Sequence, residues 1–242
     1  MFETVARRRR QDLWESILAE RPPPDHRGYD AFIRSLSNES DRAVPVIFMA
    51  FIDNEIEAML RQELNPAVTG GADRLLQPDG LFGSFGARVN LCQAVRWISD
   101  ETASDLHLLR RIRNEFAHDP YAGFERGSVP GWISSLQCVT AVVNQAKEDP
   151  RGLYQEHDGE MAWMLGGKHP VRRTRRLDFI MAASITLHRA VVALYLSPAG
   201  IRSGFGPGAF MVPEEQPEEF AEFGSAVKAL FVAAIQAEDA RA

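Results

Sequence analysis

An arginine, an amide and a histidine crowd one stretch of this chain: Arg113, Asn114 and His118, just ahead of Asp119-Pro120. These residue types can cut RNA without a metal. The RNA's own 2′-hydroxyl attacks the adjacent phosphate, so the protein must move a proton and stabilise the charge that grows on the phosphate. Histidine titrates in the right range for the first task. A guanidinium offers a planar fork of donors for the second. Asn114 would hold the histidine or the phosphate. The same residues also have a structural use, because a histidine near a helix C-terminus interacts favourably with the dipole and an amide can tie helices together. At about 100° per residue, Asn114 and His118 share a face while Arg113 and His118 stand roughly 140° apart. Catalysis therefore needs a helix that ends near His118, or a second element: Arg88, or the same motif on a partner chain.

Arg88 follows a glycine-rich stretch, Gly80-Leu81-Phe82-Gly83-Ser84-Phe85-Gly86-Ala87-Arg88. Glycines ahead of a helix can present backbone N–H groups to a phosphate. No Gly-Lys-Ser/Thr follows, so this is no P-loop. A tight turn with Ser84 as cap is the simpler use, with Arg88 free to join a phosphate site beside Arg113. A second basic cluster, Lys168-His169-Pro170-Val171-Arg172-Arg173-Thr174-Arg175-Arg176, could grip a nucleic-acid backbone or an acidic partner. Its candidates are Arg172, Arg173, Arg175 and Arg176. Cations at a helix start oppose the dipole, which favours a functional or ion-paired role over a solvated one. Glu214, Glu215, Glu218, Glu219 and Glu222 form an acidic counterpart that also suits the first turns of its own helix. Asp53, Glu55 and Glu57 read as a solvated edge or as partners for arginines.

The elements that must position these residues are helical. Apolar residues recur at three- and four-residue spacing, and strand-like alternation is scarce. Helices are expected over residues 5–20, 29–36 and about 42–64, the last capped by Ser40 or Asp41. Another runs through Arg88 to Ile98. Ser99-Asp100 reads as a break, and Thr102 or Ser104 as the cap of the helix that carries Arg113 and His118. Its buried stripe is Leu106, Leu109, Ile112 and Phe116. Residues 121–130 read as a loop, 132–146 as a helix and 149–167 as irregular. A strong helix covers about residues 172–196, closed by Ser197-Pro198, and a last one about 217–237. The expected fold class is an all-α helical bundle with additional C-terminal helices. The division is an N-terminal extension over 1–40, a helical core over 41–148 and C-terminal helices over 149–242.

The chain has 242 residues, 45% hydrophobic and 25% charged, a balance that suits a globular protein with a substantial core. Cys92 and Cys138 sit far apart in apolar surroundings and make neither a disulfide framework nor a zinc site. Arg7 to Arg10 are followed by no apolar run of signal-peptide length. The longest unbroken apolar run, residues 43–52, contains Pro45 and is too short to span a bilayer. A cytoplasmic protein with no membrane partner is expected. The net charge of −6 supplies no global attraction to nucleic acid. His-Glu-x-x-His, Gly-x-Ser-x-Gly, the dinucleotide fingerprint and paired Cys-x-x-Cys are all missing, so no metal and no other cofactor is expected.

Two segments together resemble the mannitol operon repressor family. They are Gly80-Leu81-Phe82-Gly83-Ser84-Phe85-Gly86-Ala87-Arg88-Val89-Asn90-Leu91 and Leu108-Leu109-Arg110-Arg111-Ile112-Arg113-Asn114-Glu115-Phe116-Ala117-His118-Asp119. The resemblance covers about residues 40–146, with the helix over 42–64 at its expected place upstream. It implies an all-helical fold and a role in transcriptional regulation. That family lacks a recognisable DNA-binding domain, so the resemblance implies action through other regulatory proteins; it does not carry mannitol over to this chain. Arg113-Asn114-Glu115-Phe116-Ala117-His118 also matches the Arg-x(4–6)-His signature of HEPN domains. These are helical bundles, usually dimeric, many of them metal-independent ribonucleases. By that resemblance Arg113 and His118 would be the catalytic pair and Asn114 its polar support. The expectation is a homodimeric regulator rather than an enzyme. The alternative is an endoribonuclease with RNA as its partner, and direct DNA binding through residues 172–176 ranks below both.

Overall fold

The computed structural model describes the backbone of residues 38–148, 154–157, 160–163 and 171–202, with scattered helical positions between residues 12 and 36. In chain order the elements are α1 (Ala43–Glu63), α2 (Gly71–Leu76), α3 (Phe85–Ala94), α4 (Asp100–His118), α5 (Val129–Ser134), α6 (Gln137–Glu148), β1 (Tyr154–His157), β2 (Glu160–Trp163), β3 (Val171–Arg172) and α7 (Arg175–Arg202). The fold is helical, with one small sheet. The expected helix over 217–237 lies outside the described residues. That over 5–20 is described only at Asp12, Glu15, Ser16 and Ala19, all helical.

Local chemistry explains where the helices start. The Ser40 hydroxyl accepts the Ala43 N–H at 3.2 Å, and Pro45 falls in the first turn of α1, where a missing donor costs little. Ile52, Ile56, Met59 and Leu60 recur at three- and four-residue spacing and are all buried. α4 begins earlier than its sequence suggests. Ser99 is its cap: its hydroxyl oxygen accepts the Thr102 N–H at 3.2 Å and pairs with the Thr102 hydroxyl at 3.0 Å. Asp100 and Glu101 then sit in the first turn, where the dipole favours them.

Four stretches differ from expectation. A short helix, α2, precedes the glycine-rich stretch where no helix is expected. The stretch over 132–146 belongs to two helices, α5 and α6, rather than one. Between them the Ser135 hydroxyl donates to the Gly131 carbonyl at 2.9 Å, a back-bond that competes with helix continuation. Part of residues 149–167 is an antiparallel hairpin, with Tyr154 opposite Trp163 and His157 opposite Glu160; β3 pairs with β2, Ala162 opposite Arg172. The sequence linking β1 to β2 is Asp158-Gly159, a dipeptide suited to two-residue hairpin loops. Finally, α7 runs past Ser197-Pro198 to Arg202. A proline costs a helix one hydrogen bond, but its fixed φ is helical.

Residues Arg175–Tyr195 of α7 are long and apolar enough to cross a membrane by composition, yet 83% of that window is buried inside the protein. Packing therefore accounts for its apolar character.

Two compact units form, each from separated stretches of chain. The described part of one comprises residues 51–107 and 187–202 with positions between 12 and 19. Its core includes Ile52, Ile56, Leu60, Val89, Leu106 and Val191. The described part of the other comprises residues 108–148, 154–157, 160–163 and 171–186 and positions between 32 and 50. Its core includes Phe48, Leu109, Ile112, Phe116, Ile133 and Phe179.

Candidate functional site

The end of α4 carries Arg113, Asn114 and His118, as its sequence suggests. Leu109, Ile112 and Phe116 are fully buried and fix the helix face that points inward. Phe116 packs against Phe124 with ring centroids 4.9 Å apart, and Phe124 meets Phe179 of α7 at 5.7 Å. This aromatic row anchors the last turn of α4. The chain then leaves the helix through Asp119, whose carboxylate accepts the Tyr121 N–H at 2.8 Å.

Within the motif, Arg113 Nη1 donates to the Asn114 side-chain oxygen at 3.0 Å. The amide therefore positions the arginine rather than the histidine. His118 is exposed in the last turn, and among the described residues its side chain has no hydrogen-bond partner. An exposed imidazole can accept and return a proton. A guanidinium held by its neighbour can present its remaining donors to an anion. The helix turn separates the two by roughly 140°, so neither completes the other on this helix alone.

Arg88 is placed differently from its expected role. Its side chain is only 5% exposed. Nε and Nη2 donate to Asp53 Oδ1 at 3.1 and 2.7 Å, and Nη1 donates to the carbonyls of Phe82 and Gly83 at 3.1 and 3.3 Å. Glu57 adds an ion pair at 3.3 Å and in turn pairs with Arg61, which also contacts Asp73. The guanidinium is thus consumed inside its unit and is not a free phosphate-binding group. The glycine turn serves the same construction. A Cβ on Gly80 would collide with the carbonyls of Arg74 and Leu75, and one on Gly83 with those of Gln77 and Pro78. The N–H groups of Gly80, Phe82 and Gly83 donate to the carbonyls of Gln77, Leu75 and Gly80. They therefore cradle no phosphate. Ser84 caps α3 by accepting the Ala87 N–H at 3.2 Å.

The basic run before α7 is also largely committed. Arg173 Nε donates to both oxygens of Asp178 at 2.7 and 3.0 Å, and Arg175 lies 3.7 Å from the same carboxylate. Asp178 is buried, and burial pushes its carboxyl above the usual carboxylate range while the Arg173 hydrogen bond opposes the shift. Arg176, itself buried, donates to the carbonyls of Leu36 and Glu39 at 3.0 and 3.1 Å and pairs with Asp41 at 3.1 Å. Arg172 is exposed on β3. Three of the four arginines of the predicted nucleic-acid grip are therefore engaged within the fold. The conflict between cations and helix dipole is resolved by Asp178, which sits in the first turn of α7.

Two participants escape a reading of local sequence. One is Asp178. The other is Trp132 of α5, whose ring lies 4.5 Å beneath the Arg111 guanidinium carbon. Arg110 and Arg111 are both exposed on α4. Among the described residues, no three His, Cys, Asp or Glu side chains gather as a metal would require. Burial pushes the Cys92 thiol up to about 12, which leaves it a poor nucleophile.

No protein-family model matches the sequence, and no curated protein matches it. Among solved structures, the chain is similar to one in the X-ray structure of the MtlR-HPr complex from Escherichia coli, with 17% identity, a TM-score of 0.42, and coverage of 73% of this chain and 98% of that one.

Proposed function

We propose that this protein regulates transcription through contacts with other proteins, without cutting RNA or gripping DNA directly. One observation carries the reading. Four of the five arginines that would hold a nucleic-acid backbone are engaged within the fold: Arg88 by Asp53 and Glu57, Arg173 and Arg175 by Asp178, Arg176 by Asp41 and two carbonyls. Phosphate-backbone binding needs several unpaired cations on one surface. The sequence resemblance to the mannitol operon repressor family supports the same role.

The test is complementation. Cells lacking the protein should show altered transcript levels, and both wild type and the Arg113→Ala/His118→Ala double variant should restore them. Purified wild type should leave mixed RNA intact in EDTA. Restoration by wild type alone, together with RNA cleavage that the double variant loses, would overturn the reading.

A second reading rests on a separate observation, the Arg113–Asn114 contact on the same helix end as His118, whose side chain has no hydrogen-bond partner among the described residues. In this reading the protein is a metal-independent endoribonuclease, with His118 moving the proton and Arg113 stabilising the phosphate. The same RNA assay decides it.

A further inference from the structure

Arg110 and Arg111 are cations of α4 that meet no acidic side chain among the described residues. Both are exposed. Arg110 makes no side-chain hydrogen bond or ion pair among the described residues, and Arg111 stands over Trp132. The helix dipole does not account for them, because its effect falls off within the last turn and both lie earlier. Elsewhere in the described chain the basic clusters meet acidic partners: Arg88 and Arg61 share Glu57, and Arg173 and Arg175 share Asp178.

We infer that Arg110 and Arg111, backed by Trp132, form a docking surface for an acidic segment of a partner protein. This rests on the proposed regulatory role and names its surface. The indole under Arg111 restrains the guanidinium, so less side-chain freedom is lost when a carboxylate binds its edge. Arginine and tryptophan together are the side chains that most often dominate protein interfaces. A nucleic-acid strand fits less well. One face of Trp132 is already covered by Arg111 and cannot receive a base on that side. Glu115 lies one turn beyond Arg111, and Asp119 follows His118, so negative charge interrupts the strip. A nucleic-acid strand, charged at every phosphate, would run over those carboxylates, whereas a protein segment can place its charges on the arginines alone. Arg110 and Arg111 project about 100° apart on α4, so a segment lying across the helix would place one carboxylate on each and leave the acidic positions at the rim.

The experiment uses the full chain and three fluorescein-labelled probes: a glutamate-rich helical peptide with carboxylates at every third and fourth position, its glutamine counterpart, and an oligouridine RNA. Anisotropy should show binding to the glutamate peptide that weakens with salt and is lost with the glutamine peptide. Arg110→Glu/Arg111→Glu should weaken it by at least about tenfold, with circular dichroism and thermal melting unchanged. Arg126→Glu, an exposed charge change elsewhere, should leave it intact. The inference is overturned if the glutamate peptide does not bind at low salt, if the double reversal leaves binding unchanged, or if RNA binds more tightly than the peptide through the same two arginines. Its failure is distinct from failure of the regulatory reading. Transcript control that survives Arg113→Ala/His118→Ala keeps the regulator even when the peptide does not bind.

Discussion

Arg88 and Asp53 are joined by two hydrogen bonds to a single carboxylate oxygen, from Nε at 3.1 Å and Nη2 at 2.7 Å. The pair ties α3 to α1, and the remaining nitrogen of the fork holds the glycine turn by its carbonyls. Arg88→Ala would strand Asp53 and leave two carbonyls without that donor. The expected loss is about 3 kcal/mol, at the low end for a broken buried pair because Asp53 is partly exposed. Arg88→Lys should recover little, since three N–H groups on one nitrogen cannot reproduce the planar fork that spans Asp53 and the turn carbonyls. Urea unfolding measures both; a wild-type midpoint for Arg88→Ala would contradict the clamp.

Phe124 is buried between Phe116 and Phe179. Phe124→Ala removes the middle ring of the row and leaves a cavity, at a cost of about 3 to 4 kcal/mol. Because the row anchors the end of α4, amide exchange should rise first around Arg113 to His118. Uniform loosening of the whole chain would show that the row has no local role.

Arg96 holds φ at 61° just beyond α3. The Trp97 N–H reaches the Cys92 carbonyl and the Arg96 N–H reaches that of Gln93, at 2.8 and 2.9 Å. This is the bonding pattern of a Schellman helix end, with arginine where glycine is favoured. Arg96→Gly should therefore stabilise the fold by about 1 kcal/mol, the usual cost of a side chain in the left-handed region. A lower thermal midpoint for this variant would mean the arginine side chain makes a compensating contact.

His188 on α7 is held neutral: burial, aided by the nearby Arg189 charge, lowers its pKa to about 4. In the unfolded chain a histidine takes up its proton near pH 6.5. The unfolded state thus binds the proton first, and stability is complete above about pH 6.5 and falls as the pH drops toward 4. At about 1.4 kcal/mol per pKa unit, the loss is on the order of 3 kcal/mol. Asp178 works in the opposite sense in the carboxylate range, because its raised pKa lets the folded state take up a proton first. The comparison is therefore with His188→Gln, which should flatten the slope between pH 6.5 and 4. An unchanged slope would place the acid sensitivity elsewhere.

Periodicity made the long helices legible. The stripe Leu106, Leu109, Ile112 and Phe116 is read directly from spacing, and all four residues are fully buried. What spacing cannot show is a partner far along the chain. Arg88 looks like a free cation after a turn until Asp53, thirty-five residues upstream, is brought beside it. The run Arg172 to Arg176 looks like a nucleic-acid patch until Asp178 takes up Arg173 and Arg175, and the carbonyls of Leu36 and Glu39 take up Arg176. Ser99-Asp100 looked like a break because the signals for stopping one helix and capping the next are the same polar residues. β1 and β2 escaped for a different reason: four-residue strands offer too few alternations to separate from loop.

The contacts of Arg176 also set an order of assembly. Its donors reach Leu36 and Glu39 across 140 and 137 residues of chain. During synthesis the turn around residues 36–41 leaves the ribosome long before the arginine that secures it, and loop closure of that length is slow. Until α7 emerges, the turn bond from the Glu39 N–H to the Leu36 carbonyl lacks the arginine that reinforces it. A nascent chain halted after α6 should therefore be open to proteolysis at residues 36–41, and completion of α7 should close that site.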